Sequence, residues 1–207
     1  MTKEEFQELV RLAYEAPALE FKPPSRRDDG RVAAEVVRAA LALANRRGGG
    51  RIVIGVVEDQ RAKTLTPVGL DAAELATWNR DDFSSYLARY AEPMIEFDPT
   101  TLEIDGRHYL IITVLEFRHT PILCKKAAQP AGTPILREGA LYVRGRRKPE
   151  SLEASTYEEM REVIDLAVEK GVQRFAEQLR GAGLLAVAPP SPGAEEKYGA
   201  ELRKFLP

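Results

Sequence analysis

The sequence predicts an α+β domain carrying a long helix near its C-terminal end, and three observations predict it. Thr2 to Glu5 and Thr156 to Glu159 are both Thr-x-x-Glu boxes, each followed by apolar residues at helical spacing. Ile52-Val53-Ile54-Gly55-Val56-Val57 is a near-continuous β-branched run, the pattern of a strand covered on both faces. Asp105-Gly106 sits between two strand-like runs, a strong two-residue hairpin signal.

The elements follow in order. Phe6, Leu9, Val10 and Ala13 give the first helix one apolar face, and Pro17 stops it. Ala18 to Lys22 reads as a short strand, and Pro23 to Gly30 as a loop carrying Arg26 and Arg27. A second helix is expected from Arg31 to about Arg47, buried through Ala33, Val36, Val37, Ala40, Leu41 and Ala44 and ended by Gly48-Gly49-Gly50. The run from Ile52 to Val57 is expected as one central strand. Asp71 caps a third helix reaching about Tyr90, and Pro93 and Pro99 bracket an irregular stretch. Thr101 to Ile104 and Tyr109 to Leu115 form the hairpin around Asp105-Gly106. Ile135 to Arg137 and Leu141 to Arg144 are expected as a second hairpin turning near Glu138-Gly139. A long stripe then runs through Tyr157, Met160, Ile164, Ala167, Val168, Val172, Phe175 and Leu179, before a Pro-rich linker at 188–193.

Composition bounds the function. With 207 residues, 44% hydrophobic and 30% charged, the chain suits one well-buried domain rather than disorder. The net charge of −2 gives no global field, so a polyanion partner must be held by a local patch. A lone cysteine, Cys124, excludes a disulfide framework and a cysteine-rich zinc site. His108 and His119 lack metal-ligand spacing. The charged N-terminus and the lack of any apolar run of about 20 residues read as a cytosolic protein without a membrane span. No G-x-x-x-x-G-K-[ST] occurs, so there is no P-loop and no ATP site.

Four signatures occur in order: Glu15-Ala16-Pro17-Ala18-Leu19-Glu20-Phe21-Lys22, Ala44-Asn45-Arg46-Arg47-Gly48-Gly49, Ile54-Gly55-Val56-Val57-Glu58-Asp59 and Tyr142-Val143-Arg144. Over about residues 1–150 the chain resembles the Schlafen/AlbA-related domain, whose pattern is E-x-x-x-x-E-F-K, A-N-T-x-G-G, an apolar strand ending G-V-x-D, and Y-x-R. Pro121 also resembles a family proline. Arg46 stands where the family commonly has Thr, and Val57 is an extra residue before the acidic pair. The resemblance implies a Schlafen-like single lobe with a mixed sheet flanked by helices, used on DNA or RNA. Two such lobes form a clamp in eukaryotic Schlafen proteins, some of them endoribonucleases acting on structured RNA. One lobe alone therefore implies a homo-oligomer, with a homodimer as the clamp.

The resemblance also marks Glu15, Glu20 and Glu58 or Asp59 as an acidic site. Phosphodiester hydrolysis needs an activated water and a stabilised leaving oxygen, and carboxylates holding Mg²⁺ or Mn²⁺ supply both. Lys22 alternates with Glu20 on its strand and would face a phosphate or a carboxylate. The plainer reading makes Glu15 a solvated helix end, Glu20 and Lys22 a surface pair of small value, and Glu58 and Asp59 turn residues. Which of Glu58 and Asp59 points inward stays open, since a one-residue shift reverses a strand's facing.

Between residues 118 and 148, Arg118, Lys125, Lys126, Arg137, Arg144, Arg146, Arg147 and Lys148 face only Glu138, a local charge of +7. Residues 150–165 then turn acidic. Such segregation is the electrostatic footprint of a polyanion site, with Tyr142 as a ring for base stacking. Arg26, Arg27, Arg46 and Arg47 would extend it. The bland alternative pairs the basic segment with the acidic helix after it.

Three functions follow. The chain grips a DNA or RNA backbone through its basic surface; or it is a divalent-metal-dependent nuclease; or it is an assembly module that oligomerises or docks a partner through its last helix. The expected organisation is a nucleic-acid-binding domain over 1–150, a helix over 151–187 packing on that domain or on a dimer partner, and a linker with a short tail over 188–207.

Overall fold

In the computed structural model, residues 1–12, 16–59, 61–62, 64–145 and 148–184 are described. Two compact units divide the chain at Val168/Glu169. The first, Met1–Val168, is built on one four-stranded mixed sheet. Helix α1 (Lys3–Arg11) opens at the expected capping box, with Thr2 Oγ1 accepting from the Glu5 amide at 3.1 Å. It stops at Leu12, before Pro17 is reached. Strand β1 (Leu19–Lys22) leads to α2 (Gly30–Ala44), capped by Asp29 and shorter at its end than expected because Asn45 leaves the helix. Strands β2 (Gly50–Ile54), β3 (Val56–Asp59) and β4 (Thr64–Pro67) follow.

The run read as one central strand is two. Gly55 has φ +115, a conformation a β-branched residue avoids, and a Cβ there would press on the Tyr109 ring. The chain therefore leaves the sheet at Gly55. Strand β2 runs parallel to β1 and antiparallel to the later hairpin, while β3 pairs with β4 in a separate ribbon. A second break splits the expected third helix. Asp71 caps only α3 (Ala72–Ala76), and Asn79 caps a new helix, α4 (Arg80–Leu87). Between them the buried Trp78 donates from Nε1 to the Ser25 carbonyl at 2.8 Å, a tertiary tether that overrides helix continuity.

After β5 (Ala91–Glu92), β6 (Phe97–Ile104) and β7 (Arg107–Val114) make the expected hairpin around Asp105-Gly106. Pro99 lies inside β6 rather than in a loop. The sheet order β1-β2-β7-β6 makes β6 an edge strand, where a residue without an N–H costs no ladder bond. Alternation divides the sheet's faces. Ile52, Ile54, Leu110, Ile112 and Val114 pack in the core of α2, and Val53, Phe21, Tyr109 and Ile111 pack with Phe6 of α1.

The late segment departs most from expectation. Residues 135–137 form no strand; Leu136 only bridges Ala128. Strand β8 (Leu123–Cys124) pairs with β5. Strand β9 (Tyr142–Arg144) pairs with β10 (Ser151–Glu153), so the hairpin turns through residues 145–150 and not at Glu138-Gly139. Helix α5 (Tyr157–Gly181) begins at the expected box, with Glu159 N donating to Thr156 Oγ1 at 3.3 Å. It anchors through Val163 and Leu166, whereas Tyr157, Met160, Ile164 and Val168 of the expected stripe stand exposed. The second unit spans Glu169–Pro207; its described part is the remainder of α5 and the turn to Leu184. The linker and tail expected over 188–207 lie outside the described residues. No described helix is long and apolar enough to cross a membrane.

Candidate nucleic-acid interface

Three of the four signatures meet in space. Glu20 lies on β1, held there by the ladder that pairs it with Ile52. Its carboxylate is buried, with the residue 7% exposed, and has opposite charges on both oxygens. Lys22 Nζ donates to Oε1 at 2.6 Å, and Arg144 Nη1 pairs with Oε2. Ser151 Oγ lies 3.3 Å from the same Oε2. Lys22, expected on the same side as Glu20, does share it, and lies 3.9 Å from Glu35 Oε2 as well. The surface pair of the plainer reading is thus a buried network.

Arg144 was expected on the basic surface. It turns inward instead, with its side chain 2% exposed. Its fork also donates to three main-chain carbonyls: Pro17 at 3.1 Å, Leu19 at 2.8 Å and Pro149 at 2.5 Å. A planar five-donor group satisfies this set where an ammonium would not. Asn45 completes the arrangement from the end of α2. Its Nδ2 donates to the Ile122 and Tyr142 carbonyls at 2.8 and 3.1 Å, and its Oδ1 accepts from the Ile122 amide at 2.8 Å. The A-N signature therefore ties α2 to the segment after Pro121 and to β9. The Y-x-R signature ties β9 to β1. Asn45, Ser151 and Glu35 were not foreseen as members; the place of Asn45 in the A-N signature was a signal for it, and Ser151 offered none.

Glu58 and Asp59 fall elsewhere. Both are exposed on β3, and Asp59 Oδ1 accepts from the Arg61 and Ala62 amides at 2.9 and 3.0 Å, closing a turn. Glu15 lies outside the described residues. As arranged, the described carboxylates do not fit a divalent ion. Glu20 already has two cations, Asp59 is occupied by backbone donors, and no group of three His, Cys, Asp or Glu among the described residues is placed to hold a metal. Glu20 acts here as the counter-ion of a structural clamp.

The basic residues sort by partner. Arg118 pairs with Glu96, Lys125 with Glu92 at 3.3 Å, Arg137 with Glu153, and Arg26 with Asp28 at 2.8 Å. Arg27 donates to the Thr77 carbonyl at 2.9 Å, lies over the Tyr86 ring and is 3.9 Å from Asp82. These are mostly exposed pairs, weak because solvent screens them, but each offsets a charge counted in the expected patch. The Arg137 guanidinium holds the Glu153 carboxyl below its ordinary range, and Arg26 does the same to Asp28. Burial pushes the Cys124 thiol up, in keeping with a packing role. Tyr142 is buried, its hydroxyl accepting from the Arg137 amide at 2.9 Å, so it offers no stacking face.

Lys126 and Lys148 remain exposed with no carboxylate at ion-pair distance among the described residues. Lys148 belongs to the loop over 145–150, which also carries Arg146 and Arg147; those two lie outside the described residues. Both ends of that loop are pinned. Gly145 N donates to the Glu150 carbonyl at 2.9 Å, and Arg144 holds Pro149. Beside it opens a cleft of about 490 Å³ whose lining includes Arg46, Arg47, Gly145, Glu162 and Asp165. Arg46 braces its own loop, donating from Nη1 to the Arg47 and Gly49 carbonyls, each at 2.9 Å. The cleft thus carries Arg46 and Arg47 on the side of the turn after α2 and is acidic where α5 forms its wall.

Comparisons with known proteins bear on this geometry. The family model described as Schlafen, AlbA_2 matches residues 15–148. No curated protein matches. Among solved structures, a crystal structure of a Corynebacterium diphtheriae protein aligns at TM-score 0.44 and 13% identity, covering 74% of this chain. The alignment takes in only 27% of that protein's length. The solution structure of the N-terminal domain of a RecG-related protein from Nitrosomonas europaea aligns at TM-score 0.44 and 26% identity, covering 65% of this chain and 86% of that one.

Proposed function

The chain belongs to the Schlafen, AlbA_2 family, and from that premise we propose that it binds the phosphate backbone of a nucleic acid through the 145–150 loop and the neighbouring Arg46-Arg47 turn. The observation that carries the reading is the clamp beneath the loop. Arg144, Glu20 and Ser151 spend a buried ion pair on fixing the two ends of a segment whose sequence is Gly-Arg-Arg-Lys-Pro-Glu. A loop held at its base presents its cations at low conformational cost, and phosphate contacts need charge and position rather than a read-out of bases. Among the described residues, Lys148 on the loop and Arg46 and Arg47 on the turn carry positive charge, a smaller seat than the +7 segment suggests, since Arg118, Lys125 and Arg137 face carboxylates. DNA and RNA offer the same backbone chemistry to such a seat. The nuclease reading has no observation in its favour among the described residues.

The test is fluorescence anisotropy with labelled single-stranded DNA, duplex DNA and tRNA at several salt concentrations. Three to four phosphate contacts give a slope of log K against log salt of about −3, so affinity should fall about 10²-fold between about 50 and 200 mM salt. Lys148→Glu together with Arg46→Glu should flatten that slope by about two. Retention that ignores salt, or a double variant with the wild-type slope, would overturn the assignment.

A further inference from the structure

We infer that the main-chain amide of Gly48 is a phosphate contact which the protein keeps occupied with an anion of its own, the Glu116 carboxylate, until a nucleic-acid backbone displaces it. This rests on the reading above and adds to it the regulation of the same seat.

The turn that offers the contact is closed from within. Gly48 follows Arg46 and Arg47 directly, and Gly48 and Gly49 have φ +76 and +63, a backbone that L side chains rarely adopt. Gly49 N donates to the Arg46 carbonyl at 2.9 Å, and Arg46 Nη1 donates to the carbonyls on either side of Gly48. The Gly48 amide takes no part in that closure. It donates to Glu116 Oε2 at 2.6 Å, on the exposed side of the turn. An outward amide in a glycine turn, preceded by two arginines, is an arrangement that binds anions. Here the anion is a side chain of the same protein, brought from 68 positions away.

The Glu116 side chain can leave while its backbone stays. Leu115 N donates to the Glu96 carbonyl at 2.9 Å and Phe117 N to the Ala44 carbonyl at 2.8 Å, and the Phe117 ring is buried. A Cβ on Gly49 would press on the Val114 carbonyl and the Glu116 amide, so this main chain lies directly against the turn. Between two fixed neighbours, Glu116 is half-buried and reaches Gly48 through three rotatable bonds. Swinging it away breaks one hydrogen bond and no secondary structure. A phosphate oxygen then gives the amide the same charge-assisted bond.

The device discriminates between anions. A small anion competes with a carboxylate tethered beside the amide at high effective concentration. A strand held at neighbouring phosphates by Arg46, Arg47 and Lys148 is tethered too, so it competes on equal terms. The seat therefore favours a polyanion over a single phosphate.

The test is fluorescence anisotropy of labelled single-stranded DNA on the full chain, comparing the wild type with Glu116→Gln and Glu103→Gln. Glutamine at 116 keeps an acceptor for the Gly48 amide and removes the charge. Two unit charges about 5 Å apart in water repel enough to change affinity about fourfold, so Glu116→Gln should bind about fourfold more tightly at about 50 mM salt. The gain should shrink at about 200 mM as salt screens it. Glu103 lies exposed at the far end of the β6–β7 hairpin, opposite His108, whereas Phe97 faces Val114 beside the turn. At about 20 Å from the seat, Glu103→Gln makes the same charge change and should bind like the wild type. Equal tightening by both variants, or unchanged or weaker binding by Glu116→Gln, overturns the inference. Amide ¹H–¹⁵N spectra of the wild type supply a direct readout: saturating oligonucleotide should move the Gly48 signal, and inorganic phosphate at matched ionic strength should leave it in place. Retention of the strand with a Gly48 signal that stays still sinks this inference alone. No retention by the wild type removes the nucleic-acid reading and this inference with it.

Discussion

Replacing Arg144 by alanine is the most informative perturbation of this fold. The guanidinium is 2% exposed and its partner carboxylate 9%, so the substitution removes one member of a buried pair and leaves Glu20 facing Lys22 alone. Breaking such a pair costs about 3–5 kcal/mol, most of it the penalty of a buried charge that has lost its counter-ion. The carbonyls of Pro17, Leu19 and Pro149 lose their donor as well, although the loop can open and let water replace it. A loss of about 4 kcal/mol is expected, which for a chain of this size lowers Tm by roughly 8–16 °C. Arg137→Ala is the control. It breaks an exposed, solvent-screened pair, with side chains 65% and 38% accessible, and should leave the unfolding midpoint close to that of the wild type. Urea unfolding followed by far-UV circular dichroism gives both numbers, with the midpoint displaced and the slope unchanged. Glu20→Leu combined with Arg144→Met should cost less than the two single changes added together, because the two opposite charges leave together and Lys22 keeps Glu35 at 3.9 Å. An Arg144→Ala protein within about 1 kcal/mol of the wild type, or additive costs in the double variant, would refute the clamp.

Three further outcomes follow from the same geometry. Asn45→Ala leaves the Ile122 and Tyr142 carbonyls and the Ile122 amide without partners in the core, and should destabilise by about 2–3 kcal/mol in the same urea assay. Gly49→Ala should fail to fold or unfold far below the wild type in calorimetry, since φ is +63 and the added Cβ would collide with the Val114 carbonyl oxygen. Partial burial raises the Tyr86 phenol to about 12, with the Tyr90 hydroxyl as a second cause. An unfolded tyrosine gives up its proton near pH 10 while the folded one keeps it, so this contribution to stability is complete below pH 10 and is lost as pH rises towards 12. Ultraviolet difference titration should show late-ionising phenols, the buried Tyr142 among them, and Tyr86→Phe should remove part of that late amplitude.

Much of the fold was legible because its signals are local. Capping boxes at Thr2, Asp71 and Thr156 act through bonds three residues long, and each starts a helix as expected. Asp105-Gly106 joins its two strands for the same reason: turn chemistry is settled by the residues in the turn. The family signatures were legible too, and they mark the residues that converge. Their roles were not. Arg144, Arg146, Arg147 and Lys148 looked like one basic cluster, yet Arg144 is drawn inward by Glu20, 124 positions away in sequence. Charge counting cannot reveal such a partner. Likewise, the acidic neighbours of Arg118 and Lys125 lie on the segments around β5 and β6, more than a strand's length earlier.

The sequence by itself determined the α+β class, the starts of α1, α2, α3 and α5, the hairpin at Asp105-Gly106 and the family, since propensity, capping and motif order are written in neighbouring residues. Only the tertiary structure decided that Gly55 ends the central strand, that β9 pairs with β10 rather than with residues 135–137, and that Glu20 and Arg144 form a buried ion pair. Strand pairing and ion pairing depend on which distant segments are brought within a few ångströms. A side chain's charge fixes what it can bind; the packing around it fixes which way it points.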